Sequence, residues 1–532
     1  MYSLIALALS LFSLLSAVSA LPSRTSPRHS GRSSSQFVTV SGTDFSVDGK
    51  DFNFVGTNAY WLPFLNSDDD IRNILANMAK FGVTVVRIWA FNDVATVPDA
   101  GSWLLLIKDG NTTINTGPNG IQRLDTLIAL AKQYNIYLYF TLTNNWFPFV
   151  NDSPSLFPRN FLCTDYGGMD LYVQEFGVTK THDEFYTNMT IRGEFNKYVQ
   201  FLVSRYANEP GIIAWELAND ARCESSLPSS DQCNTNTVTK WHAETAKFIR
   251  SIDPNHLITS GTHGFFCPTC PKLFPPSPAP GSSRKRTDGG LMSRVLRMIA
   301  LERRVMSRAS GANGMKVRGL WTAPSEAKRQ SSDIGSAFNG AFGVDSEDIL
   351  NAPDIDFGTF QLFPDQTNYG ITGTEVQPPS SDFDNTLNET ISWISAQTDS
   401  MHSIGKPVVL SAFGLVTQDN LLQFVPVNDT CPVVKPQQDQ KRQNSGANAG
   451  VNQQQVTSAY NAWLQQGFQG GLGGVVQYQW SSQNLSAANG TLVQGSVANG
   501  TLGVSPNDGY GILGADEAQV HQALSNASQS NP

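Results

Sequence analysis

The stretch that decides the fold is IIAWELAND, residues Ile212–Asp220. It opens with an almost unbroken apolar run and ends in polar side chains, with Asn219 and Asp220 as its last two residues. A short continuous apolar run is typical of a parallel strand that is buried on both faces. In barrels built from such strands, the functional side chains lie at the carboxyl ends. We therefore expect a buried parallel strand here, with its polar end at a functional site.

Seven further segments show the same pattern and alternate with amphipathic helices, which is typical of a parallel α/β architecture. The first helix has the clearest bounds, because Ser67 can cap it, Asp68–Asp70 fill its first turn and Gly82 ends it. Eight such strands predict an α/β fold of the (β/α)8 TIM-barrel class. With Ile212–Leu217 as the fourth, the other strands are predicted at Phe52–Ala59, Val83–Phe91, Ile136–Thr143, Leu257–Gly261, Ile355–Leu362, Pro407–Phe413 and Gly474–Gln479.

Two segments interrupt the barrel pattern. Residues 272–335 form one long insertion between strands five and six, in which 13 Lys and Arg stand against 3 Asp and Glu from Lys272 to Arg329. Its centre, Leu291–Met306, has helical spacing and could bind a polyanion or a membrane surface, although an exposed surface loop is the simpler interpretation. Residues 434–455, rich in Gln and Asn, are predicted to be a second disordered loop.

Several features predict a secreted, extracellular glycoprotein without a membrane anchor. Residues 1–20 are apolar and end in Val18 and Ala20, small side chains of the kind that a signal-peptidase site needs. Residues 21–36 are typical of a disordered leader. Six Cys suggest disulfides whose pairing stays open, with the CPTC segment Cys267–Cys270 as a small structural loop. Nine N-x-S/T sequences mark exposed surface.

Seven motifs lie at the strand ends: FVGTNAYWL (Phe54–Leu62), VVRIWAFND (Val85–Asp93), LTNNW (Leu142–Trp146), AWELAND-R-C (Ala214–Cys223), DF-T--L-PDQ (Asp356–Gln366), PVVL--FG (Pro407–Gly414) and QYQW (Gln477–Trp480). They resemble the strand ends of fungal secreted endo-β-1,4-mannanases of glycoside hydrolase family 5, and the resemblance extends from Phe37 to Leu513 outside the two interrupting segments. The resemblance implies a barrel that takes a polysaccharide or oligosaccharide of the β-mannan type. It also implies a retaining glycosidase mechanism, which uses two carboxyls about 5–5.5 Å apart.

Both carboxyl positions of the family are changed. The family's acid/base Glu follows the Asn that ends strand four, and here Asp220 takes that place. Its shorter side chain would set the carboxyl back by ~1.5 Å, a shift that can cost ~100-fold in rate. The family's nucleophile Glu precedes Phe/Tyr-Gly at the end of strand seven, and here Ala412 takes that place. Ala has no lone pair with which to attack a sugar, and the neighbouring Ser411 points to the other face of the strand.

The side chains around these positions differ too. Gln361 and Phe363 stand where the family has the His and Tyr that surround the nucleophile. Tyr478 replaces the Trp of the sugar platform, and His263 stands where an acidic residue is expected. For Trp480, packing inside the barrel rim is an equal alternative to sugar contact. The residues predicted to bind substrate are Arg87, Asn145, Trp146, Asn219, Gln361, Phe363, Tyr478 and Trp480.

These changes favour a family 5 relative that binds β-mannan-type cell-wall polysaccharide and hydrolyses it very weakly or not at all. One alternative is an active endo-β-1,4-mannanase that uses a carboxylate which the motifs do not reveal. Another is an interaction protein that works through residues 272–335. We expect no cofactor, no metal and a monomer, and the acidic charge of the barrel argues against nucleic acid.

Overall fold

The centre of the molecule is a parallel sheet of eight strands. The computed structural model describes residues 37–65, 67–99, 101–146, 166–275, 334–371, 379–421, 424, 450–486, 502–512 and 515–530. The barrel strands are β1 (Phe54–Asn58), β2 (Val85–Trp89), β3 (Tyr137–Thr141), β4 (Ile212–Glu216), β5 (Leu257–Thr259), β6 (Gly358–Leu362), β7 (Val408–Phe413) and β8 (Gly474–Gln477).

The strand order shows a nearly closed barrel. Neighbouring strands follow the order β5-β4-β3-β2-β1-β8-β7-β6, and every pairing is parallel. A parallel bridge between Thr259 and Phe357 joins the two ends of this order. Each strand lies within its predicted segment, so the (β/α)8 prediction is confirmed.

Helices alternate with the strands, as the sequence predicted. Those of the described residues are α1 (Asp68–Lys80), α2 (Gln122–Gln133), α3 (Met169–Phe176), α4 (Glu184–Thr187), α5 (Met189–Tyr206), α6 (Thr235–Ile252), α7 (Ser346–Leu350), α8 (Phe383–Ile404), α9 (Gln453–Gln469) and α10 (Ala515–Ser530). Short 3-10 turns lie at Leu62–Phe64, Ser336–Phe338 and Gln418–Asn420. No helix among the described residues is long and apolar enough to cross a membrane.

Helix α1 forms as its sequence predicts. The Ser67 side chain accepts a hydrogen bond of 3.1 Å from the backbone N–H of Asp70, which satisfies one of the free donors at the helix start. Three acids fill the first turn, where the helix dipole favours negative charge. The chain turns away at Gly82, whose φ of +79° is a left-handed conformation that suits glycine. The buried face of α1 consists of Ile71, Ile74, Leu75 and Met78.

An apolar plug fills the amino-terminal end of the barrel. The antiparallel strands Thr39–Ser41, Asp44–Val47 and Lys50–Asp51 carry Phe45, whose ring lies 5.1 Å from that of Phe357. Phe45 belongs to a buried cluster with residues from the starts of several barrel strands. This packing leaves the carboxyl ends of the strands as the open end, where such barrels place their sites.

Two small sheets lie in the connections at the open end of the barrel. One sheet consists of Asp93–Val94, Leu105–Lys108 and Asn111–Ile114, and a two-stranded ribbon consists of Gln483–Ser486 and Leu502–Val504. These strands lie in the connections that follow β2 and β8. Insertions at this end of a barrel shape its mouth without disturbing the core.

Two disulfides stabilise the loops that follow β4 and β5. Cys223 pairs with Cys233, and Cys267 pairs with Cys270. The CPTC segment is therefore a short disulfide loop, in line with the structural role that the sequence suggested. Cys163 and Cys431 lie outside the described residues.

The second interrupting segment ends earlier than predicted. Gln453–Gln455, which were assigned to the loop of residues 434–455, form the first turn of α9. Asn452 caps this helix through a reciprocal pair of hydrogen bonds with Gln455, so the polar composition here serves a capping box rather than disorder. Residues 434–449, the predicted leader and signal peptide, and residues 276–333 of the basic insertion lie outside the described residues.

Candidate functional site

A buried ion pair joins β2 and β4. The Nε of Arg87 lies 3.1 Å from both carboxyl oxygens of Glu216, while Nη1 donates to Asn58 Oδ1 over 2.8 Å. Burial lowers the pKa of Arg87, but the Glu216 carboxylate outweighs burial and raises it. Nη2 donates to Asn219 Oδ1 over 2.9 Å. Arg87 thus bonds to Glu216, Asn58 and Asn219, and its contact with a sugar stays a prediction.

Asp220 lies four residues beyond Glu216, the last residue of β4. Its φ is +60°, and its backbone N–H donates to Gly261 O over 2.8 Å. Oδ2 accepts a 3.1 Å bond from Trp146 Nε1 and pairs with Arg222. Oδ1 is buried and has no hydrogen-bond partner among the described residues. Burial raises the pKa of Asp220, and Arg222 acts against that rise.

A neutral histidine lies beside this carboxyl. His263 Nδ1 is 4.0 Å from Asp220 Oδ1, and His263 Nε2 is 2.7 Å from the Tyr369 hydroxyl. Burial and the nearby Arg222 lower the pKa of His263 well below its usual range, so the ring stays uncharged. The role of Tyr369 was missed from sequence, because a single tyrosine in a loop gives no spacing signal.

At the position that the resemblance predicts for the nucleophile, β7 carries a buried methyl group. Ala412 is 2% exposed and lies beside Gln361 in the register of β6 and β7. Gln361 Nε2 in turn lies 3.4 Å from Oδ1 of Asn219, the residue that precedes Asp220. Ser411 donates its hydroxyl to Phe360 O over 3.2 Å, a contact within the sheet. Strand β7 therefore offers no side chain that could attack a sugar.

Aromatic rings line the ends of β6 and β8. Phe363 meets Tyr478 edge to face with 5.4 Å between centroids, and it lies 5.0 Å from the ring of Tyr510. The Tyr478 hydroxyl donates to Asp508 Oδ2 over 2.7 Å. Burial raises the pKa of Asp508 to about 6. Sequence reasoning missed Asp508 and Tyr510, although the Asn507-Asp-Gly turn was a signal for a loop that carries an acid.

Asn145 and Trp146 have different roles in the loop after β3. Asn145 Oδ1 accepts from His182 Nε2 and from the backbone N–H of Arg222, and its Nδ2 donates to Glu224 O over 2.8 Å. The Asn145 amide thus helps to fix the loop, and its contact with a sugar stays a prediction. Trp146 is half-buried at the site, where its indole N–H reaches Asp220.

Trp480 packs against the helical layer. Its ring is 1% exposed and stacks on His521 of α10 with 4.2 Å between centroids. Phe81, which follows α1, lies on the same ring at 6.5 Å. These contacts support the packing alternative for Trp480, while its contact with a sugar stays a prediction.

The site can hold one proton but offers no second carboxyl at β7. Asp220 has a free oxygen and a pKa raised by burial, as a proton donor requires. Arg222 compensates its charge when it is ionised. Asn219 and Gln361 add neutral polar groups at the same place. This combination suits a neutral, hydroxyl-rich ligand.

Comparison with known proteins supports the resemblance to family 5 mannanases. Residues 35–277 match the family model described as GH family 5 beta-mannosidase-like. Mannan endo-1,4-beta-mannosidase F of Aspergillus fumigatus is 41% identical over 234 residues, which cover 43% of this chain and 48% of that protein. Mannan endo-1,4-beta-mannosidase A of Podospora anserina is 40% identical over 256 residues, or 48% of this chain and 60% of that protein. The chain thus spans about half the length of these curated relatives.

Solved structures show the same fold. An endo-1,4-beta-mannanase from Rhizomucor miehei superposes with a TM-score of 0.59 at 25% identity, over 93% of this chain and 100% of that one. An endo-beta-1,4-mannanase from Thermotoga petrophila gives a TM-score of 0.55 at 25% identity, over 91% and 77%. Residues 35–277 therefore resemble the β-mannosidase-like proteins of glycoside hydrolase family 5, and the barrel has the fold of solved endo-mannanases.

Proposed function

We propose that this chain is an extracellular protein that binds β-mannan-type polysaccharide at the mouth of its barrel. It does not hydrolyse the polysaccharide by the retaining mechanism, which needs two carboxyls. The single observation that carries the proposal is the buried methyl group of Ala412 at the end of β7. A retaining glycosidase needs a carboxylate there to form the glycosyl-enzyme intermediate. Asp220 alone can donate a proton, but it cannot at the same time form the covalent bond to the sugar.

The remaining groups support recognition of a neutral sugar chain. Asp220 keeps one oxygen without a partner among the described residues, which suits a ligand hydroxyl. Asn219, Gln361 and half-buried Trp146 lie around it. Since Arg222 neutralises Asp220, an uncharged polysaccharide meets no net charge at the site.

The first experiment measures binding and cleavage of mannohexaose together. We expect the natural protein to bind the oligosaccharide in calorimetry and to release no shorter products. A variant with Ala412→Glu, Gln361→His and Phe363→Tyr restores the family's residues around the nucleophile and should gain cleavage. Adding Asp220→Asn should remove that gain, because the leaving oxygen then receives no proton. Cleavage by the natural protein that Asp220→Asn abolishes would show the proposal to be wrong.

A second candidate function is an active endo-β-1,4-mannanase, and Asp508 is the observation that favours it. This buried carboxyl lies against Tyr478 at the end of β8, and burial raises its pKa to about 6. If the natural protein cleaves mannohexaose through Asp508, Asp508→Asn will stop cleavage. Asp365→Asn is the matched control, because Asp365 is also buried, with a pKa raised to about 7, but bonds to the backbone of Val416.

The basic insertion supplies a third candidate, an interaction protein with the barrel as scaffold. Its described ends are fixed to the barrel: Lys272 pairs with Asp345, and the N–H of Leu273 donates to Asp348 over 2.9 Å. Deleting residues 276–333 should therefore leave the barrel folded. Loss of heparin binding on deletion, with mannohexaose binding kept, would support this role.

Secretion is part of the proposal. The two disulfides and the exposed sequons at Asn111, Asn388 and Asn526 support an oxidising, glycosylating route. Expression in a fungal host should yield protein in the medium whose first residue is Leu21. Retention of residues 1–20 in the secreted product would contradict the predicted cleavage.

A further inference from the structure

The guanidinium of Arg222 lies among three aromatic rings. Its central carbon is 5.1 Å from the ring centroid of Trp146 and 5.0 Å from those of Phe265 and Phe342. The negative face of an aromatic ring attracts a cation at this distance. The same guanidinium pairs with Asp220. The rings therefore restrict the group that pairs with the site carboxyl.

Phe342 comes to this cluster from a distant part of the chain. Its backbone oxygen accepts a 2.9 Å bond from the N–H of Cys223, the residue that follows Arg222. Its ring stacks on that of Phe265 with 4.4 Å between centroids. Phe342 is thus held by its backbone to Cys223, next to Arg222 in the chain, and by its ring to Phe265, which contacts the guanidinium.

Two disulfides fix the segment on either side of Phe342. Gly340 has a φ of +74°, and a Cβ there would lie 2.7 Å from Cys267 Sγ. Gly343 has a φ of +68°, and a Cβ there would lie 2.2 Å from Cys223 Sγ. Both glycines therefore pass directly against disulfide sulfurs, where no side chain fits. This close packing limits where Phe342 can lie.

We propose that Phe342 is a positioning residue for Asp220, that it acts through Arg222, and that the two disulfides hold it in place. The proposal deepens the proposed function, since it rests on Asp220 as the site carboxyl. Without the Phe342 ring, the guanidinium loses one of its three aromatic contacts and spends less time against the carboxylate. The position and the ionisation of Asp220 should then change.

The direction of that change follows from the groups that face Asp220. These are Arg222 and His263 at short range, with Arg87, Tyr186 and Tyr369 further away. His263 is neutral, so Arg222 is the nearest positive charge. Weaker pairing with Arg222 leaves burial less opposed, and the pKa of Asp220 should rise.

The test is a titration of the Asp220 carboxyl by carbon-13 NMR in the ligand-free full chain, assigned by Asp220→Asn. In Phe342→Leu the pKa of Asp220 should rise by roughly half a unit to one unit, and Phe342→Tyr, which keeps the ring, should restore it. The matched control is Phe338→Leu. Phe338 lies in the same segment but packs on Phe266 and Trp393.

Two results would overturn the proposal. One is an unchanged Asp220 titration in Phe342→Leu, and the other is an equal shift in Phe338→Leu, which would point to general loosening. Because Phe338 is the more buried of the two, its control variant should lose more thermal stability. Mannohexaose calorimetry on the same variants keeps the questions apart: no binding by any of them contradicts the proposed function alone, because the titration needs no ligand.

Discussion

At the scale of single residues, the site keeps its charges in pairs. Arg87 and Glu216 neutralise each other inside the barrel, and Arg222 and Asp220 do so at the mouth. A buried charge without a partner costs several kcal/mol, so each pair is stable only as a whole. Mutation of one member of a buried pair should therefore lower the free energy of unfolding much more than mutation of one member of an exposed pair.

Glu216→Gln tests this argument. We expect it to lower the free energy of unfolding by about 3–5 kcal/mol, because Arg87 is left buried without a counter-charge. Glu244→Gln breaks a half-exposed pair with Arg192 and should cost less than about 1 kcal/mol. Urea unfolding of both variants gives the comparison. Equal losses would mean that water reaches Arg87.

At the scale of elements, the ends of β4 and β5 come together at a glycine. Gly261 has a φ of +75°, and a Cβ there would lie 1.9 Å from the backbone oxygen of Ala218. Its own oxygen accepts the N–H of Asp220. This close approach sets the turn that presents Asp220, so a strand-end glycine contributes to the site without touching a ligand.

A pair of glycine substitutions separates crowding from backbone strain. Gly405, at the end of α8, has a φ of +78° and open space where a Cβ would be. Gly405→Ala should cost about 1–2 kcal/mol for the left-handed conformation alone. Gly261→Ala adds a collision with backbone and should cost roughly 3 kcal/mol or more. Thermal unfolding decides, and similar melting temperatures for the two variants would contradict the close packing of β4 against β5.

At the scale of the whole molecule, the segment 502–512 closes the side of the mouth formed by β6, β7 and β8. Tyr510 accepts a 2.7 Å bond from Gln366, and a Cβ on Gly414 would lie 2.7 Å from its ring. Asp508 lies in the same segment and Asp365 at the end of β6. Burial raises the pKa of both carboxyls, to about 6 and about 7. The free energy of unfolding should therefore depend on pH through these two carboxyls.

The sign of the coupling follows from the pKa of Asp508. Its folded value is about 6 against an ordinary value of 3.8. The stability that its proton contributes is complete below pH 3.8 and is lost as the pH rises through 6. Between pH 4 and pH 7 the natural protein should lose roughly 2 kcal/mol more free energy of unfolding than Asp508→Asn. Urea unfolding at both pH values measures this, and parallel losses in the two proteins would contradict it.

The barrel fold could be predicted from the sequence alone, and Asp220 and Ala412 are the residues that the sequence proposes at the two carboxyl positions. Eight apolar runs with polar ends specify buried parallel strands, since side-chain burial follows the local pattern of residues. Ala412 could be assigned to a strand end because it lies in the last part of such a run. Asp220 could be assigned because it lies just after one. Motif order then indicated the resemblance to the family.

Only the tertiary structure decided which polar groups are free. Arg87, Asn145 and Trp480 matched the motifs but are engaged by protein partners, because hydrogen bonds and ring contacts join residues far apart in the chain. Asp508 and Phe342 reach the mouth from segments whose local sequence gives no sign of it. A local pattern fixes which residues are buried, whereas their partners depend on how distant segments meet.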